Sequence, residues 1–220
     1  MKVSKKLWAI MIGYTIWMIL ITILCSPLGL NWLTFYEMGF RADTLLSGIL
    51  VGVIVSALLG AGELLPIPLR KMMMKDVKTV EQFNDMWKVQ MIGGLDGFIA
   101  EPYWSSAILP LSIKLFTSFN LAVPAVLVLA VLTRWLLHIL SHYMFPSMEH
   151  GHRAFGEMFF TSIGLLVLDA ISSAAFLLSG SVLAPAIIHT FMQPFAQLFG
   201  VKKKIFKELD LQPARNGAEP

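Results

Sequence analysis

Apolar runs, each close to the ~20 residues that carry a helix across a bilayer, recur along this chain at 7–28, 44–65, 93–117, 121–143, 158–178 and 182–200. Six such runs in 220 residues leave no stretch long enough for a separate soluble core. Inside a bilayer each backbone N–H and C=O needs a partner within the segment, and a helix supplies one. The expected fold is an all-α polytopic membrane protein of about six transmembrane helices. It forms one domain over 1–207, followed by a disordered tail, 208–220, containing Pro213, Gly217 and Pro220. The composition agrees, with 56% hydrophobic and 14% charged residues.

Basic residues assign an orientation. Lys2, Lys5 and Lys6, then Arg70, Lys71, Lys75, Lys78 and Lys88, then Arg153, and finally Lys202, Lys203, Lys204, Lys207 and Arg215 fall on one side of the six runs. The other side holds Arg41, with Lys114 near a helix end. Positive charge is retained on the cytoplasmic face, so both termini are expected there, in a multi-pass protein of the cell membrane surrounded by lipid. The net charge of +3 is accounted for by these flanking clusters, and nucleic acid is not an expected partner. The first run exceeds the usual ~7–15-residue signal core, and is read as an uncleaved span. Cys25 is the one cysteine, so an intrachain disulfide is excluded.

Two patterns concern packing. Gly48, Gly52, Ser56 and Gly60 repeat every fourth residue, giving a small-residue face for close approach of another helix. Val80, Phe83, Trp87 and Met91 are spaced as the apolar face of a helix, with Glu81, Asp85 and Lys88 between them. That segment is expected to lie on the inner membrane surface.

Ionisable groups within spans cost roughly 2.5–3.5 kcal/mol each at a helix centre, so each needs a reason. They are Glu63, Asp96, Glu101, Arg134, His138, His142, Asp169 and His189. At ~1.5 Å of rise per residue, counting from the helix ends places Glu101, Arg134, His138, Asp169, His189 and Gln193 at one level in the cytoplasmic half. Glu63 and His142 fall nearer the surface. Pro102 directly after Glu101 removes a backbone donor and frees the carbonyl of Phe98, which points to a wet cavity beside the carboxylate. Arg134 needs a carboxylate, and Asp169 at matching depth makes the expected structural polar pair; pairing of Arg134 with Glu101 is the alternative. His138 and His142, one turn apart, form half of a zinc site that Glu101 and His189 would complete, though the glutamate of an HExxH motif is missing. No cofactor is otherwise expected. His150 and His152 are read as solvated loop residues.

These residues also resemble a family. Ser179-Gly180-Ser181 followed by His189-Thr-Phe-Met-Gln193 resembles the third motif of the CAAX protease and bacteriocin-processing (CPBP) membrane proteases, a Thr/Ser-Gly-Ser turn before His-x-x-x-Asn. The first motif, Glu-Glu-x-x-x-Arg, falls on Glu101-Pro102-Tyr-Trp-Ser-Ser106, keeping only the first glutamate. The second, Phe-x-x-x-His, falls on Arg134-Trp-Leu-Leu-His138 or His138-Ile-Leu-Ser-His142, without the phenylalanine. The likeness covers 93–200.

The resemblance implies an intramembrane endopeptidase. Glu101 with His138, or His142 in its place, would activate water, and His189 with Gln193 would stabilise the oxyanion. Arg134 would supply the charge that the motif arginine carries. The substrate would be a peptide or membrane-protein segment cut near the cytoplasmic face. Two other readings accompany it: a catalytically inactive family-like scaffold or bacteriocin-immunity protein, and a small proton- or ion-coupled transporter.

Overall fold

Backbone groups that cannot reach water close their hydrogen bonds along the chain, and every described apolar run is helical. The computed structural model describes residues 5–61, 79–93, 97–144 and 155–208. The side chains of 5–11, 86, 88–93, 142–144 and 155–161 lie outside that description. Glu63, Asp96, His150, His152 and the tail from 209 are likewise outside it. Among the described residues the elements are α1 (Lys5–Cys25), α2 (Leu45–Ala61), α3 (Val80–Gly93), α4 (Gly97–Tyr103), a π turn (Trp104–Ile108), α5 (Leu109–Thr117), α6 (Val123–Met144), α7 (Phe155–Ser179), α8 (Leu183–Leu198) and α9 (Val201–Glu208), with a short 3-10 turn at Ala42–Thr44.

Three helical stretches, Ala42–Ala61, Val123–Ser141 and Ser162–Ser179, are long and apolar enough to cross a membrane, and Ile12–Cys25 is a shorter apolar helix. They mark the chain as a helical membrane protein. Large apolar side chains such as Leu28, Leu46, Leu58, Val123, Leu136 and Leu178 point outward, as a lipid-facing surface requires.

α8 is the axis. Gly48, Gly52, Ser56 and Gly60 of α2 are all buried, and their partner is α8. A Cβ on Gly52 would stand 2.8 Å from Cβ of Ile187, and one on Gly60 2.5 Å from Cβ of Phe195 and 2.8 Å from the Ala196 nitrogen. Ser56 Oγ donates to the Gly52 carbonyl at 2.6 Å and lies 3.2 Å from that of Ile187. Gly97 does the same for α4, its missing Cβ falling 2.8 Å from Cβ of His189. Small residues thus bring α2 and α4 against opposite parts of one helix.

The sharp turn between α7 and α8 needs Gly180, whose φ of +64° suits a residue without Cβ. The loop after α1 locks onto this turn: the Val182 amide donates to the Gly39 carbonyl at 3.2 Å, and Thr44 Oγ1 lies 3.2 Å from that of Gly180. Within the loop, Leu33 and Met38 are buried beside Cys25 and Ala107, while Trp32, Phe35, Tyr36 and Phe40 remain exposed.

The described apolar side chains of α3 are covered by protein. Phe83 and Trp87 are buried against Ala196 of α8 and Ile205 of α9, with Val201 and Phe206 around them. Protein contact satisfies this amphipathic face because α9, itself amphipathic, folds back beneath α8 after Gly200.

Candidate functional site

Pro102 sits inside α4 and has no N–H to give to the Phe98 carbonyl, and directly after Tyr103 the segment Trp104–Ile108 runs as a π turn. The wider turn points Trp104, Ser105 and Ser106 inward, all buried. Glu101 lies just before it, on the same inward side.

One guanidinium organises what surrounds it. Arg134 of α6 donates from Nε to Asp169 Oδ1 of α7 at 2.9 Å. From Nη1 it donates to Ser105 Oγ at 2.6 Å, and Nη2 lies 3.2 Å from both oxygens of Glu101. Ser105 Oγ in turn donates to Glu101 Oε2 at 2.5 Å. The planar fork of arginine fits this role, holding two carboxylates and a hydroxyl at fixed separations.

Each carboxylate also carries a histidine. His138 Nδ1 lies 3.1 Å from Oδ2 and 3.2 Å from Oδ1 of Asp169. His189 Nδ1 lies 3.3 Å from Oε1 of Glu101. An ionised carboxylate has no proton to offer, so in both pairs Nδ1–H is the donor and Nε2 is the nitrogen left for other partners. The His138 ring packs 4.7 Å from Trp104, centroid to centroid and tilted 30°. Arg134 brings one positive charge to two carboxylates, so neutrality of the cluster takes one further proton, which an imidazole Nε2 can carry.

Burial is graded. The side chains of Arg134 and Asp169 are 1% exposed and Glu101 3%, His138 is 11% and His189 23%. His189 is therefore the member that an incoming group meets first. Gln193 lies one turn further along α8, half-buried, and hydrogen-bonds no described residue.

Of the residues singled out in the sequence, Glu101, Arg134, His138, Asp169 and His189 meet in one network. Arg134 bonds both carboxylates, so the two pairings that stood as alternatives coexist. The expected partnership of Glu101 with His138 takes another form: His138 is seated on Asp169, His189 on Glu101, and Arg134 joins the two. His142 is in α6, but its side chain is outside the described residues. Among the described residues no group of three or more His, Cys, Asp or Glu side chains is arranged to hold a metal ion. Ser105 and Trp104 were missed. Pro102 was the available signal, since a proline within an apolar run marks an irregular helix. The chain matches no protein-family model, no curated protein and no solved structure.

Proposed function

We propose that the protein is an intramembrane endopeptidase that hydrolyses a peptide or membrane-protein segment near the cytoplasmic face. The observation that carries this reading is the 3.3 Å contact between His189 Nδ1 and Glu101 Oε1, linked through Arg134 to the His138–Asp169 pair. Two carboxylate-oriented imidazoles, one of them carrying a proton, are the equipment for water activation and leaving-group protonation in a site of low dielectric.

In this mechanism Asp169 fixes the ring of His138, which with Glu101 takes the proton of the attacking water. The further proton of the cluster sits on Nε2 of His189, whose Nδ1–H Glu101 holds, and Nε2–H donates to the oxyanion as it forms, aided by the amide of Gln193 on the same face of α8. Arg134 stabilises the paired carboxylates throughout. The proton then passes to the leaving amine, which restores the cluster. Around this site the chain crosses the membrane six times with both termini cytoplasmic. The interrupted helix at 97–117 and the 16-residue α8 complete the crossings beyond the long apolar helices.

A second reading, the inactive scaffold, has its own observation: Arg134, Ser105 and His189 already engage both oxygens of Glu101. One experiment separates the two. New peptide termini are mapped by mass spectrometry in membranes carrying wild-type protein, Glu101→Gln or His189→Ala at matched expression. The endopeptidase reading predicts a set of termini lost in both variants; the same termini in all three membranes would remove that reading. Six crossings predict that cysteines placed singly at Asn120 and Lys204, in a Cys25→Ala background, react with an impermeant maleimide from outside and from inside respectively.

A further inference from the structure

Leu111, Lys114 and Leu115 stand three and four residues apart on α5 and so share one face of that helix. The loop after α1 comes against this face along a path fixed by its backbone. Leu30 N–H donates to the Leu24 carbonyl at 2.7 Å, Asn31 N–H to that of Ser26 at 3.1 Å and Leu33 N–H to that of Cys25 at 2.9 Å. Asn31 takes the left-handed conformation, with φ of +56°, which asparagine adopts more readily than most residues. Leu33 is buried in a cluster with Ala107, against which Leu111 packs. Trp32, held between these two anchored residues, has its side chain outside. Between loop and helix lies a cavity of about 420 Å³, lined by Asn31, Trp32, Leu111, Lys114 and Leu115, a volume within the ~300–1,000 Å³ of small-molecule sites.

Lys114 is in the last turn of α5. Its Nζ donates to the Trp32 carbonyl at 2.9 Å and lies 3.6 Å from Glu37 Oε1, while 59% of the side chain stays exposed. The ammonium is therefore tied to the cavity wall. It has three N–H donors, and the carbonyl and the carboxylate leave one for a further acceptor. Leu111 lies one turn deeper along the helix, and with Leu115 and Trp32 it makes the apolar wall. Trp32 and Leu115 are 53% and 56% exposed, and Leu28, Leu30 and Phe119 are exposed around them. On a helical membrane protein such a surface meets lipid, with tryptophan at the level of the headgroups. A cation at the helix end, an indole beside it and a leucine one turn below follow the order of groups in a phospholipid: phosphate, glycerol ester, acyl chain.

We infer that the cavity between α5 and the loop after α1 binds one phospholipid, with its phosphate on Lys114 and the upper part of an acyl chain along Leu111, Leu115 and Trp32. Glu37 beside Lys114 balances the local charge, so the recognised group is the phosphate common to zwitterionic and anionic lipids. From the proposed topology the site takes only that α5 ends at a membrane surface. It stands apart from hydrolysis, and either can fail without the other.

Native mass spectrometry of the purified protein in detergent tests the site, with phosphatidylcholine, a diacylglycerol of the same chains, or inorganic phosphate added. The wild type should retain one phosphatidylcholine and neither of the other two. Lys114→Gln should weaken binding of the first phosphatidylcholine about tenfold, the scale of one hydrogen bond to a charged group. Trp32→Ala, which keeps the carbonyl, should weaken it several-fold, and Phe119→Ala, outside the cavity lining, should leave it unchanged. All three side chains are exposed, and melting temperatures check that the variants are folded. Lys114→Arg, which keeps the charge, should restore most of the affinity lost in Lys114→Gln. Equal retention of phosphatidylcholine by wild type, Lys114→Gln and Trp32→Ala would overturn the proposal. So would diacylglycerol held as tightly as phosphatidylcholine, or inorganic phosphate bound in place of lipid.

Discussion

Arg134 and Asp169 join α6 to α7 through an Nε–H···Oδ1 bond of 2.9 Å between side chains each 1% exposed. The same guanidinium reaches Glu101, so one residue fixes the separation of two carboxylates and of the histidines seated on them.

Removing Arg134 should therefore be severe. Arg134→Ala leaves two carboxylates buried without the cation they share, and loss of one partner from a buried ion pair costs about 3–5 kcal/mol. Lysine, a point charge without the fork, should recover only part of this. The triple variant Arg134→Met, Glu101→Gln, Asp169→Asn, which removes charge from both sides, should be more stable than Arg134→Ala. Thermal or denaturant unfolding in detergent checks the order; an Arg134→Ala protein as stable as wild type would mean that the cluster is not a closed network.

The α2–α8 contact makes a second prediction. Gly60→Ala places a Cβ against the backbone nitrogen of Ala196 and Cβ of Phe195, neither of which is a flexible side-chain end. Overpacking of this kind costs about 1–3 kcal/mol. Gly13→Ala, whose new Cβ meets nothing within 4 Å, should leave the unfolding midpoint unchanged or raised. Equal behaviour of the two variants would contradict close packing along α2.

Counting residues along helices is what made the site legible. A helix rises by a constant amount, so depth could be read from sequence, and Glu101, Arg134, His138, Asp169 and His189 fell on one level that the structure joins by hydrogen bonds. Rotation about each helix axis was not legible, because neighbouring helices set it. That is why the histidine-to-carboxylate pairing came out differently and why Ser105 went unnoticed. The small face of α2 was visible as a pattern, but not its partner α8. Spacing alone showed that the face of α3 is apolar; only the return of α9 after Gly200 shows that protein covers it.

Outside the spans, the loop after α1 should respond to acid. The Thr34 amide donates to Glu37 Oε2 at 2.7 Å, and the Glu37 amide to Thr34 Oγ1 at 3.1 Å. The backbone hydrogen bond from Thr34, with the Thr34 hydroxyl and Lys114 adding to it, holds the Glu37 carboxyl below its ordinary value of 4.5. A carboxyl depressed on folding stabilises the folded loop above its unfolded pKa and loses that contribution as pH falls through the folded one. Backbone hydrogen exchange at Thr34–Met38 should accelerate, relative to the intrinsic rate at each pH, as the solution is acidified below 4.5. Glu37→Gln should abolish the acid step; an acid step of the same size in that variant would assign it to another group.

The proposed hydrolysis is most directly tested with the purified protein in liposomes, a pool of membrane-soluble peptides and 18O water. New carboxyl termini should carry 18O, and His189→Ala and Glu101→Gln should each lower the rate by about 10²–10⁴-fold, the range expected for loss of a positioned acid or base. Absence of 18O-labelled termini, or a Glu101→Gln protein that cleaves at the wild-type rate, would contradict the account.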